Sequence, residues 1–342
     1  MNRKYIWLIL VLLLLVGCNI LKKGEYTPTI TSKEVYTGKE GLTMEFFENS
    51  PPDEVFENSP FPVSMSLTNK GAYNIKEGYL SIGFEKEYMG IIEDSLISIN
   101  DKVNFRDSKI IFDLKGKDIE NVKGDKEVVT FNFKTKELSK TDPQSDLHTS
   151  LISVTSCYKY QTRAVETVCI DADIYGYKKR EKSCEVETIS LDSQGGPVAV
   201  TKIESEMLSD GNDHSRIKPR FVITVKNLGN GQIIKGDDEI IKSACSSDPI
   251  GYKDWNMVRA EVYLSYIDEG NKDKNKLDCD VNDTGLHNDG ILNLKGKEDK
   301  IRCTYEEGFK EEKGSFSSPL HIILNYGYTD TASKEVRIKR LS

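Results

Sequence analysis

The stretch Phe221-Val-Ile223-Thr-Val225-Lys-Asn227-Leu-Gly229 decides the fold. Apolar side chains at every second position mark one face of a pleated strand, and Asn-x-Gly closes the run with turn chemistry. The segment Pro62-Val63-Ser-Met65-Ser-Leu67-Thr-Asn69-Lys-Gly71 repeats the pattern 158 residues earlier. Working outward, Leu80-Ser-Ile82-Gly-Phe84, Val129-Thr-Phe131-Asn-Phe133 and Val258-Arg-Ala260-Glu-Val262-Tyr-Leu264 alternate in the same way. No stretch carries a convincing 3.6-residue apolar period, so the expected fold class is all-β.

A second pair of segments strengthens the repeat. Ile152 to Tyr160 and Leu320 to Tyr328 both alternate and both end in Tyr-x-Tyr. Val154, Tyr158, Tyr160, Ala164, Val168 and Ile170 recur as Ile322, Tyr326, Tyr328, Ala332, Val336 and Ile338, at a constant offset of 168. Alternation alone would not hold Asn-x-Gly and Tyr-x-Tyr at fixed offsets, so the chain reads as a duplication. Each half is expected to finish in a hairpin whose first strand bears Tyr-x-Tyr. The echo between Phe47-Glu-Asn49-Ser-Pro51 and Phe56-Glu-Asn58-Ser-Pro60 reads as two turns.

The run Phe221 to Gly229, and more weakly Pro62 to Gly71, resembles the strand-and-turn signature of CARDB-type immunoglobulin-like domains of prokaryotic surface lipoproteins. The resemblance covers about ten residues per half and carries no functional residue across. It implies two tandem immunoglobulin-like β-sandwiches with roles in adhesion, display or capture. Both halves exceed an ordinary sandwich of about 100 residues, leaving Ile110–Asp125 and Asp268–Asp289 as insertions.

The chain opens MNRKYIWLILVLLLLVGC, with Arg3 and Lys4 before an 11-residue apolar run from Ile6 to Val16 and Gly17 directly before Cys18. The run is shorter than the roughly 20 residues of a membrane-spanning helix and reads as the core of a signal peptide. Its last residues resemble a lipobox, which makes Cys18 the expected lipidation site. Two acyl chains suffice for stable anchoring, so the body is expected to face outward from the cell membrane. The expected organisation is a signal peptide over 1–17, a flexible tether over 18–40, a first sandwich over 41–182 and a second over 183–342.

Removing the first 17 of 342 residues leaves 45 basic side chains against 55 acidic ones. Such a balance argues against a nucleic-acid partner, which requires clustered basic excess. The expected partners are the membrane, through the anchor, and an extracellular protein or glycan.

Six further cysteines in an exported chain favour disulfides. If Tyr158 opposes Val168 in the expected hairpin, the same register sets Cys157 opposite Cys169. Cys279 and Cys303 flank the second insertion and form the next natural pair, leaving Cys184 for Cys245. None of the six forms a CxxC, and His148, His214, His287 and His321 lie outside ligand spacing, so no metal is expected at the cysteines. Asp278, Asp280, Asn282 and Asp289 alternate like calcium ligands, but Asp283 stands where such a loop needs glycine, so a solvated acidic loop is the expectation. Asn282-Asp-Thr284 is also a glycosylation sequon. His321, without an identifiable Ser or Cys partner, reads as a surface residue, and Trp255 reads as core. No catalytic motif, nucleotide loop or cofactor fingerprint is present. The sequence therefore favours a non-enzymatic binding, adhesion or structural module. The other readings are an envelope enzyme with dispersed catalytic residues and a solute-binding lipoprotein, which the lack of βαβ alternation disfavours.

Overall fold

The computed structural model describes residues 35–341 apart from 93–94, 107–108, 175, 177–180, 212, 214, 247, 249, 266–274 and 281–289. Cys18, Asn282 and Asp289 lie outside the described residues, as does most of the expected tether. Residues 32–342 form one compact unit.

The fold is all-β, with three sheets among the described residues. The first is made of β1 (Leu42–Phe46), β3 (Pro60–Asn69), β9 (Lys126–Thr135) and β5 (Met89–Ile91), with β6 (Ile97–Ser98) also on β9. The third runs β11 (Ile189–Ser190), β12 (Val198–Ser209), β13 (Arg216–Asn227), β18 (Glu298–Thr304) and β16 (Asp278–Asp280), with β19 (Phe309–Lys310) on β13. The second, central sheet has nine strands drawn from both halves, and both other sheets are tied to the same face of it. Its path is β17 (Ile291–Asn293), β15 (Met257–Leu264), β20 (Ser315–Lys339), β10 (Leu147–Asp171), β4 (Ile75–Gly83), β8 (Lys109–Leu114) and β7 (Val103–Arg106). Two short strands, β14 (Gln232–Ile234) and β2 (Glu54–Phe56), also pair with β20, and β2 is the parallel one. The expected boundary between 182 and 183 falls in the connector between β10 and β11, and strands from both sides of it share the central sheet.

The alternation read from the sequence sets the inner faces. Val63, Met65 and Leu67 of β3 and Phe221, Ile223 and Val225 of β13 are fully buried. They belong to the same apolar cluster as Ile152, Val154, Leu320, Ile322 and Leu324, and the four tyrosines Tyr158, Tyr160, Tyr326 and Tyr328. The hydrophobic contribution of such a continuous core scales with the apolar area it removes from water.

One expectation is corrected here. The terminal hairpins do not form: β10 and β20 are each continuous strands of 25 residues. They pair with one another along their whole length, from Leu147↔Lys339 to Asp171↔Ser315. A shift of 168 carries β10 onto β20 end for end, and Lys159 pairs with its own equivalent, Gly327. The two halves are therefore related by a pseudo-twofold axis through that pair, the arrangement of an isologous dimer interface within one chain.

The duplication is repeated in the hydrogen bonds. Asn69 Nδ2 donates to the Tyr73 carbonyl and Gly71 N to Asn69 Oδ1, at 2.8 and 3.2 Å. Asn227 Nδ2 donates to the Gly231 carbonyl and Gly229 N to Asn227 Oδ1, at 3.0 and 3.1 Å. Leu42 N donates to the Tyr158 hydroxyl and Val198 N to the Tyr326 hydroxyl, at 3.1 and 3.3 Å, which ties each outer sheet to the central one. Tyr160 donates to the Gly195 carbonyl at 2.8 Å, while its equivalent Tyr328 meets Asn227 Oδ1 at 3.3 Å.

Burial raises the ionisation of all four tyrosines above the ordinary value of 10.0. The native state then keeps protons that the unfolded chain releases, so stability is fully present below pH 10 and falls as pH rises toward the native values. Urea unfolding across that range, followed with tyrosinate absorbance, is expected to show loss of stability together with a late, cooperative ionisation.

The disulfide expectations are corrected in two of three pairs. Cys157 bonds Cys245 and Cys169 bonds Cys184, whereas Cys279 bonds Cys303 as expected. Cys157 and Cys169 lie on one extended strand, twelve residues or about 40 Å apart, and cannot meet. The Cys184–Cys245 pair fails with it, because each cysteine is taken by its neighbour on β10. Three disulfides indicate an oxidising, extracytoplasmic setting. Among the described residues no helix is long and apolar enough to cross a membrane.

Local turns follow their chemistry. Asn49 and Asn58 of the short echo both adopt φ 57°, a left-handed conformation that asparagine tolerates. Glu57 is buried, and its carboxylate accepts from Leu138 N at 2.6 Å and Leu341 N at 3.0 Å, holding the short helix α1 (Leu138–Thr141) and the end of the chain together.

Candidate functional site

The central sheet has one face in the core and one outside. On β10 the even-numbered residues from 150 to 164 are buried, so the odd-numbered side chains project outward. The registers of β10, β20 and β15 place these outward groups in rows. One row is Gln161, Asn325 and Arg259, the next is Arg163, Ile323 and Glu261, and the third is Val165, His321 and Tyr263.

Hydrogen bonds order this lattice. Gln161 Nε2 donates to Asn325 Oδ1 at 2.7 Å, and Arg163 Nε donates to Gln161 Oε1 at 2.6 Å. Tyr263 donates its hydroxyl proton to Glu261 Oε2 at 2.8 Å. Nearby ammonium groups are neutralised, Lys159 by Asp238 at 2.5 Å and Lys235 by Asp237 at 2.6 Å. Arg163 and Arg259 are exposed, and among the described residues neither has a carboxylate partner. Clefts border the patch. One of about 1320 Å³ is lined by Arg163, Val165, Glu166, Asp192 and His321, and one of about 400 Å³ by Lys159, Lys235, Arg259, Glu261 and Asn325.

The pseudo-twofold axis relates this face to a covered one. Across the sheet, Ile111, Tyr79, Cys157 and Thr329 form a row whose symmetry equivalents are Ile291, Arg259, Asn325 and Gln161. The segment between β14 and β15 has no counterpart in the first half, and its Ile241, Ala244, Cys245, Ile250 and Trp255 cover the first row. Its helix α2 (Asp238–Ala244) packs Ile241 against Tyr79, Ile111, Cys157 and Ile234. Cys245 fixes it through the bond to Cys157. Trp255, expected in the core, is half-buried against this smaller cluster.

Other candidates are placed as follows. His321 does have a serine partner, contrary to expectation: Ser265 Oγ lies 2.6 Å from its Nε2. Among the described residues no carboxylate hydrogen-bonds the ring's other nitrogen. Asp278 and Asp280 flank the buried Cys279 on β16, and among the described residues no cluster of three or more metal-ligating side chains occurs. An apolar groove of about 860 Å³ opens between the sheets of the first half, lined by Ile82, Ile91, Leu96, Phe105 and Phe131. Ile110–Leu114, read as part of an insertion, is strand β8.

No protein-family model matches the chain, and no curated protein matches it. Among solved structures, a type I cohesin–dockerin complex from Clostridium thermocellum ATTC 27405 is similar over 36% of this chain and 83% of that chain, at 16% identity and a TM-score of 0.24. The secreted serine protease VesC from Vibrio cholerae aligns over 84% of this chain and 50% of that one, at 11% identity and a TM-score of 0.19. The CupB6 tip adhesin from Pseudomonas aeruginosa aligns over 88% and 97%, at 9% identity and a TM-score of 0.18. Likeness at these scores carries no argument about function.

Proposed function

We propose that the protein is a lipid-anchored, outward-facing binding module of the cell envelope, held through Cys18 and recognising its partner with the outer face of the central sheet. The observation that carries the reading is the outward lattice on a disulfide-braced sheet, in which half-buried Gln161 and Asn325 and exposed Arg163 are joined by hydrogen bonds beside exposed Arg259. Rigid strands hold such groups in position more firmly than loops do, which lowers the entropic cost of binding. The leader sequence supports the anchor, and the three disulfides support the exported setting.

The test uses the purified full-length chain on intact cells that lack it. Saturable binding is expected, with a loss of about tenfold or more in the Gln161→Ala, Asn325→Ala double variant. In the producing cells, Cys18→Ala is expected to move the protein from the membrane to the soluble fraction. Absence of saturable binding, or binding untouched by the double variant, would remove the outer face from the account.

A further inference from the structure

The pseudo-twofold axis makes the two ends of the outer face comparable position by position. At one end the chain docks a segment of its own on the seat Ile111, Tyr79 and Cys157, using Ile241 and a disulfide. At the other end the equivalent seat is Ile291, Arg259 and Asn325, and Gln161 replaces Thr329 in the row. The fold thus has a docking face at both ends. In the open one, Tyr79 and Cys157 have become arginine and asparagine, and no part of the described chain covers it as α2 covers the other.

The chemistry of the open seat selects its occupant. A helix or strand of protein would need an apolar centre of the kind that α2 finds, because interface energy concentrates in buried apolar and aromatic anchors. The open seat instead presents planar polar groups. Gln161 and Asn325 spend one donor and two acceptor positions on each other and on Arg163, which leaves the Asn325 amide nitrogen and the second amide hydrogen of Gln161 to meet hydroxyls. The charge is also directional. Lys159 and Lys235 are neutralised by Asp238 and Asp237, Arg163 and Arg259 form no ion pair among the described residues, and the Glu261 carboxylate that accepts from Tyr263 keeps its charge between them. Arg163 commits Nε to Gln161, so its two Nη atoms form the outward edge of the fork. Such an edge matches a carboxylate in bidentate geometry.

Arg163 and Arg259 stand on β10 and β15, two strand spacings apart and one row out of step. Their Cα atoms are therefore about 12 Å apart, which suits two carboxylates on one extended chain better than a single small anion. We infer that the open seat on the outer face of β10, β20 and β15 binds an acidic polysaccharide, a glycan whose sugar carboxylates are held by Arg163 and Arg259 and whose hydroxyls are held by Gln161 and Asn325. This inference rests on the binding-module reading and names the class of ligand for the same face.

The test is isothermal titration of the purified full-length protein with three acidic hexasaccharides, made of galacturonate, of mannuronate and of the glucuronate-containing hyaluronan repeat. A neutral galactose hexamer serves as the comparison. At least one acidic hexamer is expected to bind below about 1 mM, and the neutral one to bind at least about tenfold more weakly. Arg163→Ala and Arg259→Ala are each expected to weaken the acidic ligand by about tenfold, with affinity falling as salt rises. Both residues are exposed, and unchanged circular dichroism and disulfide mapping confirm that the variants fold. Equal affinity for neutral and acidic hexamers, unchanged affinity in both variants, or no binding by any acidic hexamer overturns the inference. If the hexamers fail while the cell-binding assay still depends on Gln161 and Asn325, the ligand class falls and the binding module stands. If cell binding is absent too, both fall.

Discussion

Gly71→Ala is expected to lower the free energy of unfolding by about 3 kcal/mol, and to cost less in a Tyr160→Phe background. A methyl group at Gly71 would overlap the Tyr160 hydroxyl, and it would also meet the Gly195 carbonyl at 2.8 Å, the atom to which that hydroxyl donates. Tyr160 is 2% exposed and its ring packs edge-on against Tyr73 and Tyr158, so it has no room to swing away. Tyr160→Phe removes the closest overlap but keeps the ring carbon and the Gly195 carbonyl, each 2.8 Å from the added methyl, so part of the cost remains. Urea unfolding of the two single variants and the double variant completes the cycle. The account expects a coupling of about 1–2 kcal/mol, because the two positions are in direct contact. Additive costs would mean that the glycine serves the turn alone. Gly229 and Tyr328 stand in the same relation in the second half.

Removing the Cys157–Cys245 bond by alanine at both positions is the second large effect. The bond closes a sequence separation of 88 residues, for which the chain-entropy model gives about 4–5 kcal/mol, against about 3 kcal/mol for the separation of 15 closed by Cys169–Cys184. Both values are upper bounds, since residual structure in the unfolded chain reduces the entropy that a crosslink removes. The native consequence is also specific. The bond holds α2 on Tyr79 and Ile111, so its loss is expected to raise hydrogen exchange over residues 235–246 well before global unfolding. Non-reducing peptide mapping of the wild type supplies the baseline, with Cys157 linked to Cys245. A Cys157–Cys169 peptide would contradict the strand assignment itself.

The sequence carried the repeat because both of its signatures are local. Asn69 and Gly71 sit in one turn, as do Asn227 and Gly229, and Tyr-x-Tyr lies within three residues. What Gly71 and Gly229 do there was less legible. Neither lies in the left-handed region, and their lack of a side chain makes room for a tyrosine almost a hundred residues away. The expected hairpins failed for a reason that was visible. Gln161-Thr-Arg-Ala-Val-Glu-Thr167 contains no glycine, proline or asparagine to turn the chain, and β10 runs straight through it. The disulfide error followed from that one misplaced turn.

The outer face was illegible for a different reason. Gln161, Asn325 and Arg259 come from three strands distant in sequence, and only the pairing of β10 with β20 and of β20 with β15 makes them neighbours. Each alone reads as an ordinary polar residue at an outward strand position. Likewise, the segment 235–256, which distinguishes the covered seat from the open one, shows its meaning only when Tyr79 is matched to Arg259 through the sheet registers.

Hydroxyl-radical footprinting of the full-length protein bound to intact cells tests the central claim most directly. The account predicts protection of Ile323, Tyr263 and His321 on the outer face, with Phe105 and Ile91 of the apolar groove as reactive as in the free protein. Protection centred on Phe105 and Ile91, with the outer face unchanged, would contradict it.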